Sequence, residues 1–151
     1  TAPADDFVGL RIFDVSKPGA PRDICHWKCA GSGVHRFTFD GRYAYISPEI
    51  DGYLGNIVMI LDMKNPSKPE EVGRWWMPGT RVGDKEAPPP RLKLDGGYRA
   101  HNTNVYSKQR PDRAYVGYID GGGFILDIKD KSNIKTVSRW KNSPPTRCRA
   151  S

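Results

Sequence analysis

Gly9-Leu-Arg-Ile-Phe-Asp-Val-Ser-Lys-Pro18 is restated twice further along the chain, as Asn56-Ile-Val-Met-Ile-Leu-Asp-Met-Lys-Asn-Pro66 and as Gly123-Phe-Ile-Leu-Asp-Ile-Lys-Asp130. Each copy is an apolar run that ends in an aspartate: Asp14, Asp62 and Asp127. Thirteen residues beyond each aspartate stands a tryptophan, namely Trp27, Trp75 and Trp140. A spacing held three times defines an internal repeat, and the repeat decides the fold.

The runs are short, rich in Ile, Val, Phe and Leu, and bounded by Gly, Pro, Asn or Asp, which is a strand signature. No window keeps the 3.6-residue apolar period of an amphipathic helix. After each aspartate a turn of Ser, Lys, Asn and Pro leads to a second strand, the one that carries the tryptophan. Ten strands are predicted, at about 10–15, 22–28, 34–39, 42–47, 56–62, 70–76, 100–106, 113–118, 122–128 and 134–140. Small antiparallel sheets repeated in this way fit the blades of a β-propeller. The first two aspartates lie 48 residues apart, close to the length of one blade.

The expected architecture is therefore all-β, with about two and a half four-stranded blades in a single partial propeller domain over residues 1–151. Propellers close with roughly four to eight blades. Ring closure by homo-oligomerisation, as a dimer or trimer, would cover the open sheet edges and apolar blade faces. A soluble fragment of a longer polypeptide is the alternative.

Charge and cysteine content set outer bounds. The chain has 24 Lys and Arg against 17 Asp and Glu, a formal net charge of +7. The basic residues are scattered, apart from Arg74, Arg81, Lys85, Arg91 and Lys93 around one loop and Arg147 and Arg149 in the tail. Scatter favours solubility and attraction to anions over a nucleic-acid groove, and no aromatic platform for bases is visible. No apolar run approaches the ~20 residues of a membrane span. Neither nucleic acid nor a membrane is thus an expected partner. Cys25, Cys29 and Cys148 fit no zinc-finger spacing and imply no disulfide framework. No stretch reads as a targeting segment, so cytoplasm and periplasm both stay open.

Residues 1–8 read as a polar lead-in. Residues 77–98, with Ala87-Pro-Pro-Pro90 and Asp95-Gly-Gly97, are an insertion that regular strand cannot accommodate. Such a loop is either a carrier of function on a rigid scaffold or a solvated spacer or inter-subunit arm.

The repeat lets two histidines be compared position by position. His35 lies 27 residues before Asp62 and His101 lies 26 before Asp127. Each opens the first strand of a blade, the innermost strand of a propeller, so the two rings are expected to converge on one axis. Convergent neutral imidazoles suit Zn above all, with Mn, Fe or Cu as other divalent transition metals. The competing reading is structural, with each histidine holding an inner strand to its neighbour. His26, on an outer strand, is expected to be an ordinary partly buried residue.

Glu49 follows the second strand of its blade, and Asp120 sits in the matching connection. Both are candidates for a general base or for orienting a ligand near a metal; the alternative is that they cap turns. Asp14, Asp62 and Asp127 read as structural, with carboxylates that bond turn amides. Trp27, Trp75 and Trp140 read as blade-packing residues.

The stretch Gly-Leu-Arg-Ile-Phe-Asp-Val-Ser-Lys-Pro, followed by a histidine-bearing strand and Gly41-Arg-Tyr-Ala-Tyr-Ile-Ser47, resembles the LVIVD-repeat β-propellers. The resemblance covers residues from about 8 to 145. Histidine-metal propellers, such as the selenium-binding and carotenoid-oxygenase proteins, carry inner-strand histidines around a central metal, and His35 and His101 look like that arrangement. Full-length relatives carry further histidine-bearing blades. Against them this chain reads as a truncated member with an atypical tail at 146–151, where Cys148 takes the place a histidine would have.

The function this implies is a metal-dependent hydrolase of esters or phosphoesters. His35 and His101 from several subunits would hold the ion, and Glu49 or Asp120 would take the proton. Tyr45, Tyr98, Tyr118 and the basic insertion would shape a pocket for a small anionic or ester substrate. The alternatives are a non-catalytic propeller that binds a partner through its rim loops, and a metal-dependent oxidoreductase.

Overall fold

Ten strands and no helices form the fold in a computed structural model that describes residues 8–91 and 97–140. They are β1 (Gly9–Asp14), β2 (Arg22–Lys28), β3 (Gly33–Phe39), β4 (Tyr43–Glu49), β5 (Val58–Asp62), β6 (Glu70–Trp75), β7 (Arg99–Tyr106), β8 (Arg110–Ile119), β9 (Gly122–Asp127) and β10 (Lys135–Trp140). All ten predicted strands are present, with ends displaced by at most three residues. Residues 1–7 of the lead-in, Lys93 and Asp95 of the insertion, and the tail with Arg147, Cys148 and Arg149 lie outside the described residues.

The strands form three antiparallel sheets: β1-β2, β3-β4-β5-β6 and β7-β8-β9-β10. In each four-stranded sheet every strand pairs with the next in the chain, as in a propeller blade. The repeat equates β1 with β5 and β9, and β2 with β6 and β10. The two-stranded sheet thus contains the third and fourth strands of a blade.

The repeated aspartates do the same local work in all three sheets. One carboxylate oxygen accepts the amide two residues on: Ser16 on Asp14 at 2.9 Å, Lys64 on Asp62 at 2.8 Å and Lys129 on Asp127 at 3.0 Å. This closes the turn that the sequence anticipates. An arginine then clamps each carboxylate. Arg42, just ahead of β4, donates twice to Asp62, at 2.6 Å each. Its guanidinium brings the Asp62 carboxyl down to about 2. Arg113 of β8 reaches Asp127 at 3.3 Å. In the two-stranded sheet Arg22 of β2 reaches Asp14 at 2.8 Å.

The central sheet is packed on both faces through its middle strands, β4 and β5. On one, Tyr45, Val58, Ile60 and Trp75 pack against Ala100, Val116, Tyr118, Phe124 and Leu126 of the third sheet. Trp75 meets Tyr118 and Phe124 edge-on, with ring centroids 6.1 and 4.9 Å away, a geometry that the aromatic quadrupole favours. Its indole N–H donates to Thr136 Oγ1 at 3.1 Å. On the other face Ala44, Ile46, Met59 and Leu61 meet Leu10 and Trp27 of the two-stranded sheet. Trp27 and Trp75 therefore pack blade on blade, as expected. Trp140 is half exposed and lies over Gly123 of its own sheet, where any Cβ would run into the indole.

The same packing corrects one expectation. Tyr45, Tyr98 and Tyr118 are all buried in the core between the sheets rather than presented at an open surface. Tyr45 donates its hydroxyl to Asp40 at 2.9 Å, and burial pushes its phenol well above the ordinary range. All three belong to the cluster where the central sheet packs on the third, so the contact between the sheets makes them core.

The described part of the insertion is tied down. Tyr53 and Arg81 form a β-bridge. Leu54 N–H donates to Thr80 O at 2.7 Å and Val82 N–H to Gly52 O at 2.8 Å. Asp84 accepts from Trp76 Nε1 and from the amides of Gly79 and Arg81. These bonds fasten Thr80–Val82 to the loop at Gly52–Leu54, beside the end of β4.

Candidate functional site

Register brings the two histidines to the same place in their sheets. Val34 pairs with Pro48 and Phe37 with Ile46, leaving one extra residue on β3 around His35. Ala100 pairs with Tyr118 and Asn102 with Gly117, leaving His101 as the extra residue on β7. Each histidine therefore sits at a bulge in the innermost strand, a device that re-aims a side chain and recurs beside active sites. The rings come together with centroids 5.1 Å apart and planes inclined at 59°. Just beyond them Thr38 donates its hydroxyl to the Thr103 carbonyl, which fixes β3 against β7.

The environment of the pair is cationic. Partial desolvation first, then the neighbouring His101 and the guanidinium groups of Arg36 and Arg99, hold His35 below its ordinary pKa. His35 is consequently neutral at pH 7, the form that ligates metals. Two imidazoles sharing one tetrahedral ion through nitrogens at about 2.0–2.1 Å would have ring centroids about 5 Å apart, so the observed spacing fits a shared ion. Among the described residues no group of three or more His, Cys, Asp or Glu could hold a metal. Within those residues the pair brings two imidazoles together.

The two nominated carboxylates occupy the same rim but differ in situation. Glu49 ends β4 opposite Gly33, two residues from His35, and is exposed. Its backbone carbonyl accepts the Ser32 amide at 3.1 Å. Asp120 follows β8, whose last residue Ile119 lies opposite Arg99. Register therefore makes Ile119, not Asp120, the counterpart of Glu49. Asp120 is 2% exposed and has a φ of 55°, a left-handed conformation that aspartate tolerates better than most residues. Its carboxylate accepts from Arg91 Nε at 3.0 Å, which joins the insertion to the β8–β9 turn.

His26 is not partly buried as expected. It is exposed on β2, with Nε2 2.6 Å from Asp23 Oδ2, and Arg11 meets the same carboxylate at 2.8 Å. The β1-β2 sheet is open on that face, so polar residues can occupy it. Arg36 and Arg99, beside the histidine pair, were missed because basic residues look scattered along the sequence. Their positions directly after and two before the equivalent histidines were the signal available.

The family model described as LVIVD repeat matches residues 38–76. The chain carries an LVIVD repeat. That repeat runs from the end of β3 through β6, so it contains the Arg42–Asp62 clamp, Glu49 and Trp75, while His35 lies just ahead of it. Ten strands in sheets of two and four, together with the LVIVD repeat, describe a β-propeller-like domain. No match to a curated protein was found.

Proposed function

We propose that the chain is a metal-dependent hydrolase of esters or phosphoesters, with a zinc-type ion held by His35 and His101. The observation that carries this reading is the 5.1 Å approach of two imidazoles from equivalent bulges on facing inner strands. A bulge repeated at the same register in two sheets supports a shared role for the two rings. A purely packing role would be met by any side chain of similar volume.

Such an ion would supply Lewis acidity toward water and a substrate oxygen. The chain's own groups supply the rest. His35 and His101 bind as neutral imidazoles. Arg36 and Arg99 oppose a bare cation but attract an anionic substrate and offset charge that develops as the ester is attacked. Glu49, exposed on the same rim, is the assigned proton acceptor. Asp120, held by Arg91, positions the insertion. The remaining ligands come from neighbouring copies of the chain, since one chain offers two histidines here and propellers close by adding blades.

The test combines metal analysis of the purified protein with ester and phosphoester hydrolysis before and after chelation. Activity that vanishes on chelation and returns with zinc supports the reading. Full hydrolysis by a metal-free preparation removes it.

A further inference from the structure

Trp76 is a tryptophan that the repeat does not call for. Directly after the packing tryptophan the other two copies carry lysine, Lys28 and Lys141. Trp75 fills the packing role against Tyr118 and Phe124, and Trp76 belongs to neither core cluster.

Trp76 stands instead on the wall of a cavity of about 950 Å³ between the outer strand β6, the insertion and the β9–β10 turn. Val72 and Ile134, both packed against the core, line it from the inside. The two sheets that border it each have four strands, so its walls are complete blades and the insertion.

The indole is held from three sides. Its N–H donates to Asp84 Oδ2 at 3.2 Å. Tyr53 meets it edge-on, with ring centroids 5.3 Å apart. The Arg81 guanidinium lies over the ring, 5.0 Å from its centroid, a cation–π contact. Asp84 also accepts the Gly79 and Arg81 amides, so one carboxylate fixes both the indole and the loop that carries Arg81.

Much of the charge around the cavity is already engaged. Arg74 donates twice to Glu71, at 2.6 and 2.7 Å, and Asp84 has its three donors. Arg81 and Lys85 form no salt bridge among the described residues, and they face one further carboxylate, Glu86. An apolar floor, two aromatic walls and a small surplus of positive charge suit a flat ring that carries an anionic group.

We propose that this cavity binds a small aromatic anion, with its ring against Trp76 and Tyr53 and its acidic group on Arg81 and Lys85. The cavity lies beside the outer strand β6, whereas the histidines are on the inner strands β3 and β7, so this site does not rest on the metal reading.

Calorimetric titration of the full chain with 2-naphthoate is the test. Saturable one-to-one binding is expected, at least fivefold tighter than for the neutral 2-naphthylmethanol. Trp76→Ala should weaken it at least tenfold, while Trp140→Ala, at another partly exposed indole, should change it less than twofold. An Arg81→Gln, Lys85→Gln double variant, altered only at exposed residues, should abolish the preference for the anion. The proposal is overturned by absence of saturable binding, by equal losses in Trp76→Ala and Trp140→Ala, or by an anion preference that survives the double variant. Binding that is lost in His35→Ala would put the ligand at the histidine pair and overturn it as well.

Discussion

One face of the central sheet is closed by four strands and the other by two, and the same strand β4 contributes to both. Its Tyr45 lies under a complete blade, whereas Phe37 and Phe39 of β3 on the opposite face are 66% and 54% exposed. Apolar pattern alone does not bury a residue in this architecture; the adjacent sheet does. The difference teaches that stability should be concentrated on the side where two complete blades meet.

The largest effect should come from Trp75→Ala. Removing an indole that packs on Tyr118 and Phe124 and bonds Thr136 should cost about 3–5 kcal/mol, read as a lowered denaturation midpoint. Phe37→Ala, on the open face, should change stability by no more than about 0.5 kcal/mol. Equal costs would erase the contrast between the faces.

Close approach of the two complete blades gives the next test. A Cβ on Gly73 would lie 1.7 Å from the Lys131 carbonyl oxygen of the third sheet. Gly73→Ala should therefore cost about 1–3 kcal/mol. Gly19→Ala, in the turn between β1 and β2 with nothing within 4 Å, should be neutral.

The aspartate clamps sharpen the comparison by pH. Asp62 titrates in the folded state at about 2, from an ordinary value of 3.8, chiefly through Arg42. Its folded pKa is depressed, so its contribution is complete above pH 4 and is lost as pH falls toward 2. Asp62→Asn should flatten that part of the stability profile, seen by urea unfolding at successive pH values. Removing Arg42 with Arg42→Gln should flatten it similarly.

A smaller shift concerns the histidines. His35 should titrate below 6.5 by NMR, and His101→Gln should move it upward by removing a nearby positive charge. An unchanged His35 titration in that variant would mean that the two rings do not sense each other.

Much of this was legible in sequence because it recurs. The thirteen-residue step from aspartate to tryptophan gave the hairpin of the third and fourth strands, and the apolar runs gave all ten strands. The turn role of Asp14, Asp62 and Asp127 followed from their position before Ser, Lys and Asn. The approach of His35 and His101 followed from their near-equal placement, 27 and 26 residues ahead of Asp62 and Asp127.

What escaped was set by register. Arg42 and Arg113 look equivalent in sequence, yet Tyr43 is the residue opposite Asp62 while Arg113 itself is opposite Asp127. The same one-residue offset separates Asp120 from Glu49. Bulges at the histidines absorb an extra residue that no local pattern announces. Tyr45, Tyr98 and Tyr118 were assigned to a pocket because tyrosine suits one, and the packing of the central sheet on the third buries all of them instead.

The most direct test of the central claim is transition-metal content per chain, measured with the solution mass of the assembly, for the unaltered protein and for His35→Ala and His101→Ala. The account predicts bound zinc shared between copies, lost in either variant. A metal-free protein whose mass and stability are indifferent to both substitutions would contradict it.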